Sequence, residues 1–137
     1  MSTQSNAPRF PKWFVPGCPP SDAVDASGTI FRFVASVPSV PAEYLSYHET
    51  GERPNAPACQ RCGLSVFRKV EDVRRLLRHL WKNYPGKSYG PHIVKRELSP
   101  DDGRIKATGS PGHQTWWAYE GVERHVSFEF VETVQKN

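Results

Sequence analysis

The chain has 137 residues with 37% hydrophobic and 12% aromatic content, enough for one domain whose core leans on Phe, Tyr and Trp. Thirteen Pro and ten Gly argue for short elements and against a helical bundle, and no apolar run approaches the roughly eighteen residues of a membrane span. The formal charge of +4 is uneven: Arg61 to Lys106 carries twelve Lys or Arg against five acids, while the rest has six against nine.

A basic middle of net +7 in a frame of net −3 suggests a partner bearing phosphates or carboxylates, although a solvated face without a partner has the same signature. The opening MSTQSNAPRFPK lacks the apolar segment of a secretory signal, and three cysteines are an odd number for a disulfide framework. These features predict a soluble, cytoplasmic protein with reduced thiols.

Residues 1–27 hold Pro8, Pro11, Pro16, Pro19 and Pro20 with no periodicity, and read as an arm docked by Trp13, Phe14 and Val15. Residues 28–137 read as a single α+β domain. Its first strand, Thr29 to Ala35, puts Phe31 and Phe33 on one face and Ile30, Arg32 and Val34 on the other. A cation between two β-branched residues needs a partner if its face is covered. Pro38, Pro41, Pro54 and Pro57 frame a long connection with a helical turn at Ala42 to Tyr47, where Tyr44, Leu45 and Tyr47 would pack. Leu64 to Phe67 reads as a short strand.

The strongest helix signal is Val70 to Asn83. Val70, Val73, Leu76, Leu77, Leu80 and Trp81 form one apolar stripe, with Glu71 and Asp72 in the first turn and Pro85-Gly86 as the stop. The opposite face presents Arg74, Arg75, Arg78 and Lys82. His92 to Leu98 and Arg104 to Ala107 read as strands joined by the turn Ser99 to Gly103. Thr115 to Tyr119 follows, in which Trp116 and Trp117 take opposite faces, one for the core and one (Trp116) for a cleft beside His113. In a last strand, Arg124 to Val131, Val126, Phe128 and Phe130 would face the core, leaving Glu129 on the other side. The sum is a mostly antiparallel twisted sheet with one main amphipathic helix and long Pro-rich loops.

Two local patterns carry chemistry. Cys59-Gln-Arg-Cys62-Gly has the spacing of half a zinc knuckle, which Cys18 and His48 would complete as a Cys₃His set. His113, after the glycine-rich TGSPG, is placed for hydrogen bonding or acid/base work beside stacking rings suited to a nucleobase or nicotinamide. TGSPG lacks the Lys-Ser/Thr and helix of a phosphate-binding P-loop.

The succession of an Arg-bearing strand (IFRFV), a strand-to-helix step (GLSVFRKVEDVRRLL), a strand with acidic turn (HIVKRELSPDDG) and a late strand with a Glu (FEF) resembles the layout of small ADP-ribosyltransferase-like domains, the RNA 2′-phosphotransferases and several bacterial toxins among them. The resemblance implies NAD as cofactor, with Arg32 holding it, Ser65 assisting and Glu129 orienting the ribose; His113 joins the catalytic candidates from its own place beside the indoles. The expected function is therefore binding of a phosphate-bearing ligand, nucleotide or nucleic acid, through a basic face (Arg74, Arg75, Arg78, Lys82) and an aromatic cleft (Trp116), with ADP-ribosyl-transfer-type chemistry. The alternative is a non-enzymatic interaction module for an acidic protein partner, stabilised by zinc on Cys59 and Cys62. Neither reading involves a membrane.

Overall fold

The computed structural model describes residues 8–136; Met1 to Ala7, where the expected arm and the stretch read against a secretory signal begin, and Asn137 lie outside the described residues. Alternating β-branched and aromatic residues build an antiparallel sheet of β1 (Val24–Asp25), β2 (Gly28–Val34), β3 (Leu64–Phe67), β4 (His92–Leu98), β5 (Gly103–Ala107), β6 (His113–Ala118) and β7 (Glu129–Thr133). The strand order is β1-β5-β6-β3-β2-β4-β7. Three helices join it: α1 (Tyr47–Thr50), α2 (Ala58–Cys62) and α3 (Val70–Asn83). The fold is a single-domain α+β architecture.

Register decides what each face carries, because residues paired across neighbouring strands point to the same side. Phe31 is opposite Phe67 and Lys95, and Ile93 opposite Glu132, so Phe31, Phe33, Phe67 and Ile93 share one face. There α3 lays down Val73, Leu77 and Trp81, all buried, as its 3.6-residue period predicts. At the β5–β6 end of this face Trp117 is covered by the N-terminal arm, through Phe10, Trp13, Phe14 and Val15, and by α2.

The second face holds Ile30, Val34, Leu64, Val66, Val94, Leu98, Ile105 and Trp116. No long helix covers it. Tyr44, Val122 and Phe128 close it from two irregular stretches, the Pro-rich connection and the segment between β6 and β7.

Four expectations change here. The last strand starts at Glu129, five residues late, and is an edge strand; Phe130 is 55% exposed and Val126 37%, so only Phe128 of the expected inward trio packs. Ser127, with φ 63°, belongs to the turn that delays it. Leu45 is 41% exposed while Tyr44 takes the core. Cys18 and Cys59 are joined in a disulfide with Cα atoms 5.3 Å apart, so the expectation of reduced thiols does not hold for this pair. The end of the arm also enters the sheet, as β1 beside β5.

Candidate functional site

Of the residues singled out by sequence, those on the outer side of α3 form the coherent group. Arg75, Arg78 and Lys82 recur at helical spacing on one exposed stripe, and Arg75 has 73% of its side chain in solvent. At 1.5 Å rise per residue they extend over about 10 Å, close to three phosphate steps of one nucleic-acid strand. Arg75 binds the Asp72 carboxylate at 2.8 Å, whereas Arg78, Lys82, Lys69 and Lys87 have no carboxylate within ion-pair distance among the described residues.

Arg74 has a different role from the one expected. Its guanidinium makes a forked contact with Glu132 of β7, so it clamps the helix to the sheet edge. The hydrogen bond from Arg74 holds the Glu132 carboxyl below the ordinary carboxylate range, against the opposing effect of burial.

At the start of α3, Arg68, Lys69 and Arg75 line an open groove against Pro111 and Gly112, with Glu71 and Asp72 in the same wall. Gly112, at φ +86°, lies so close to Asp72 that a Cβ there would collide with the carboxylate. The acids leave this end of the helix nearly balanced, and the uncompensated positive charge sits toward Arg78 and Lys82. Sequence reasoning counted Arg68 and Lys69 in the basic middle but missed their position here. Their signal was the basic pair immediately preceding the helix start.

The other expected constellation is not assembled. Arg32 and Glu129 lie on opposite faces with β4 between their strands, because Glu129 is in register with Lys95 and hence with Phe31. The Arg32 guanidinium donates to the carbonyls of Ser65 at 2.8 Å and Glu43 at 2.6 Å, and sits 5.1 Å from the centre of the Tyr44 ring. It ties the Pro-rich connection to the sheet. Ser65 meets it only through backbone, since the Ser65 side chain shares the opposite face with Thr115. Glu129 is exposed at the sheet edge.

Trp116 cannot stack on a ligand: it is fully buried, donates its Nε1–H to the Asp102 carbonyl at 2.9 Å, and carries Arg96 over its ring at 5.1 Å. Trp117 is equally buried, and donates to the Cys59 carbonyl. Both faces of the sheet are covered, so both indoles are core residues. His113 closes the β5–β6 hairpin. Its Nδ1–H donates to the Thr108 carbonyl at 2.8 Å and its ring meets Phe67 edge-on. Burial pulls the imidazole below the ordinary histidine value, only partly offset by the bond to Thr108, so it is neutral at neutral pH.

The zinc set is also undone. Cys59 is bonded to Cys18, Cys62 is a buried free thiol, and His48 stacks on Trp13 at 5.3 Å. Among the described residues no three His, Cys, Asp or Glu side chains gather as a metal site, and no helix is long and apolar enough to cross a membrane. Comparison of the chain with protein-family models, with curated proteins and with solved structures found no match.

Proposed function

We propose that the protein binds nucleic acid non-covalently, through the phosphate backbone, on the outer face of α3. The observation that carries this reading is the exposed stripe Arg75, Arg78 and Lys82, whose last two members lack a carboxylate partner among the described residues. Such a stripe meets a polyanion by releasing its condensed counterions, a term independent of base sequence. Burial of Trp116 takes away the stacking surface that recognition of a free nucleobase or nicotinamide would need. Separation of Arg32 from Glu129 likewise takes away the support for ribosyl transfer.

Binding of short duplex and single-stranded RNA and DNA, followed across a salt series, tests the reading. Three phosphate contacts on a duplex predict a slope of log K against log salt of about −3. Charge reversal at Arg78 and Lys82 should lower that slope by about 1 per side chain and weaken every sequence alike. No binding at low salt, or binding indifferent to salt, would reject it and favour a protein partner.

A further inference from the structure

We propose that Cys18, Cys59 and Cys62 form an internal thiol–disulfide relay, in which Cys62 takes Cys59 over from Cys18 and thereby loosens the Phe10 to Pro20 stretch of the N-terminal arm from the domain. The proposal is independent of the basic face.

All three cysteines of the chain belong to one apolar cluster around Trp117. Cys59 and Cys62 are one turn apart on α2, and helix neighbours at this spacing have Cβ atoms roughly 5–6 Å apart. Disulfides span Cα separations of about 4.4–6.8 Å, a range that one helical turn falls within and that the Cys18–Cys59 pair occupies at 5.3 Å, and they draw the Cβ atoms to about 3.5–4.5 Å, so a Cys59–Cys62 bond also tightens the last turn of α2. Cys59 therefore has two possible bridging partners, one on the arm and one on its own helix.

The third thiol lies in the same apolar cluster as that bond. Cys62 is 2% exposed, which screens it from dissolved thiols and oxidants, yet it borders a cavity of about 200 Å³ between the arm and the sheet. Trp13 and Phe14 of the arm, Trp116, and the Glu49 and Arg124 side chains complete much of that wall. The cavity is the path by which its proton would leave.

The exchange balances internally. Cys62 gives up its proton to water and its Sγ attacks Cys59 Sγ. The Cys59–Cys62 bond forms as the Cys18–Cys59 bond breaks, the electron pair leaves on Cys18, and Cys18 takes up a proton. One disulfide and one thiol exist before and after, so no outside oxidant or reductant is consumed.

The two sides of the exchanging bond are tethered unequally. Trp117 Nε1 holds the Cys59 carbonyl at 2.8 Å, so α2 keeps a hydrogen bond to the sheet when Cys18 departs. On the arm, the Glu120 amide donates to the Arg9 carbonyl at 2.8 Å, Phe10 packs at a tilt against Tyr119 and Trp13 stacks on His48. The salt links Asp22–Lys106 and Asp25–Arg104 come only after Pro20. Exchange thus leaves the stretch from Phe10 to Pro20 attached by aromatic contacts, with the cavity beneath it free to open.

Disulfide mapping of the whole protein tests the relay directly. Samples incubated at mildly alkaline pH without added thiol are quenched in acid, alkylated and digested with trypsin. Arg61 is a cleavage point between Cys59 and Cys62, so their bond appears as a cross-linked peptide pair distinct from the Cys18–Cys59 pair. The expected result is both linkages in the wild type. Cys62→Ser should show Cys18–Cys59 alone, and Cys18→Ser under oxidised glutathione should show Cys59–Cys62. Native-state cleavage at Lys12 should be faster in Cys18→Ser than in Cys62→Ser. The relay is overturned if the wild type yields only Cys18–Cys59, or three free thiols, at every incubation time. It is equally overturned if folded Cys18→Ser keeps two alkylatable thiols. Should Cys18→Ser fail to fold, the wild-type map alone decides between relay and fixed bridge.

Discussion

Under α3 the sheet presents Phe31, Phe33, Phe67 and Ile93 to a stripe of Val73, Leu77 and Trp81, and the contact is apolar except for the Arg74–Glu132 clamp at the sheet edge. On the reverse face, Ile30, Val94, Leu98 and Trp116 are equally buried, but what lies over them is loop. A helix satisfies its own backbone and can cover a sheet with side chains alone; a loop brings carbonyls that must find donors. Two inward-pointing arginines meet that need. Arg96 is 7% exposed and donates to the carbonyls of Glu123, Arg124 and Val126 and to the Asp102 carboxylate, while Arg32 serves Ser65 and Glu43. Each leaves its Nε buried without a partner among the described residues. The helix face is held mainly by apolar burial and the loop face also by buried polar pins, so they should fail differently.

Replacing Arg96 is expected to have the largest effect. Removing one partner of a buried pair costs about 3–5 kcal/mol, because Asp102 and the loop carbonyls are left without their donor. Arg96→Met, close in length but apolar, should lower the urea midpoint by that order. The double variant Arg96→Met, Asp102→Leu should recover part of it. A midpoint unchanged in Arg96→Met would mean that the loop face is held as the helix face is. Leu77→Ala is the matching test on the other side, expected to cost about 2–5 kcal/mol through lost transfer energy and the cavity left behind. Stability near wild type would disprove the inward orientation of the stripe, and with it the outward one of Arg75, Arg78 and Lys82.

That division also marks what the chain discloses before folding. Val70 to Asn83, Leu64 to Phe67 and His92 to Leu98 are legible to the residue because period and burial agree along each segment. Residues 124–128 read as the start of a strand since Val126, Phe128 and Phe130 alternate, yet Arg96 fixes their backbone as loop from across the sheet. That override is tertiary, and no local pattern carries it. The site divides in the same way. The basic stripe follows from helical spacing alone, whereas the expected roles of Arg32, Glu129, Trp116 and Cys59 depend on how strands and loops meet. Pairing register sends Glu129 to the opposite face, the covered reverse face hides Trp116, and the arm brings Cys18 to Cys59 across 41 positions.

The loop face has smaller fastenings too. Ser46, buried at the start of α1, accepts from the Glu49 amide while Glu49 accepts from the Ser46 amide, a reciprocal cap. Ser46→Ala should cost about 1 kcal/mol, read as a shift in thermal midpoint. A loss several times larger would show that α1, and not Arg32, is the main fixing point of the Pro-rich connection.

The smallest expected effect lies one residue contact further on. Glu49 takes two hydrogen bonds from Arg124, at 2.8 and 3.0 Å, and so ties α1 to the segment Arg96 holds. Burial pushes its carboxyl up, but the bonds from Arg124 and Ser46 and the Arg124 charge outweigh that and leave it lower than an ordinary glutamate. A depressed carboxyl stabilises the fold above its unfolded-state pKa, and the contribution disappears as pH falls through the folded-state value. With the side chains 20% and 22% exposed, solvent screens the pair, and its worth should stay under about 1 kcal/mol at neutral pH. The stability gap between wild type and Glu49→Gln should therefore be present at pH 7, narrow below the ordinary carboxylate range, and shrink with added salt. A gap that is constant with pH would assign the role of Glu49 to packing and to the cap. One that widens in acid would reverse the sign of the charge argument for the whole loop face.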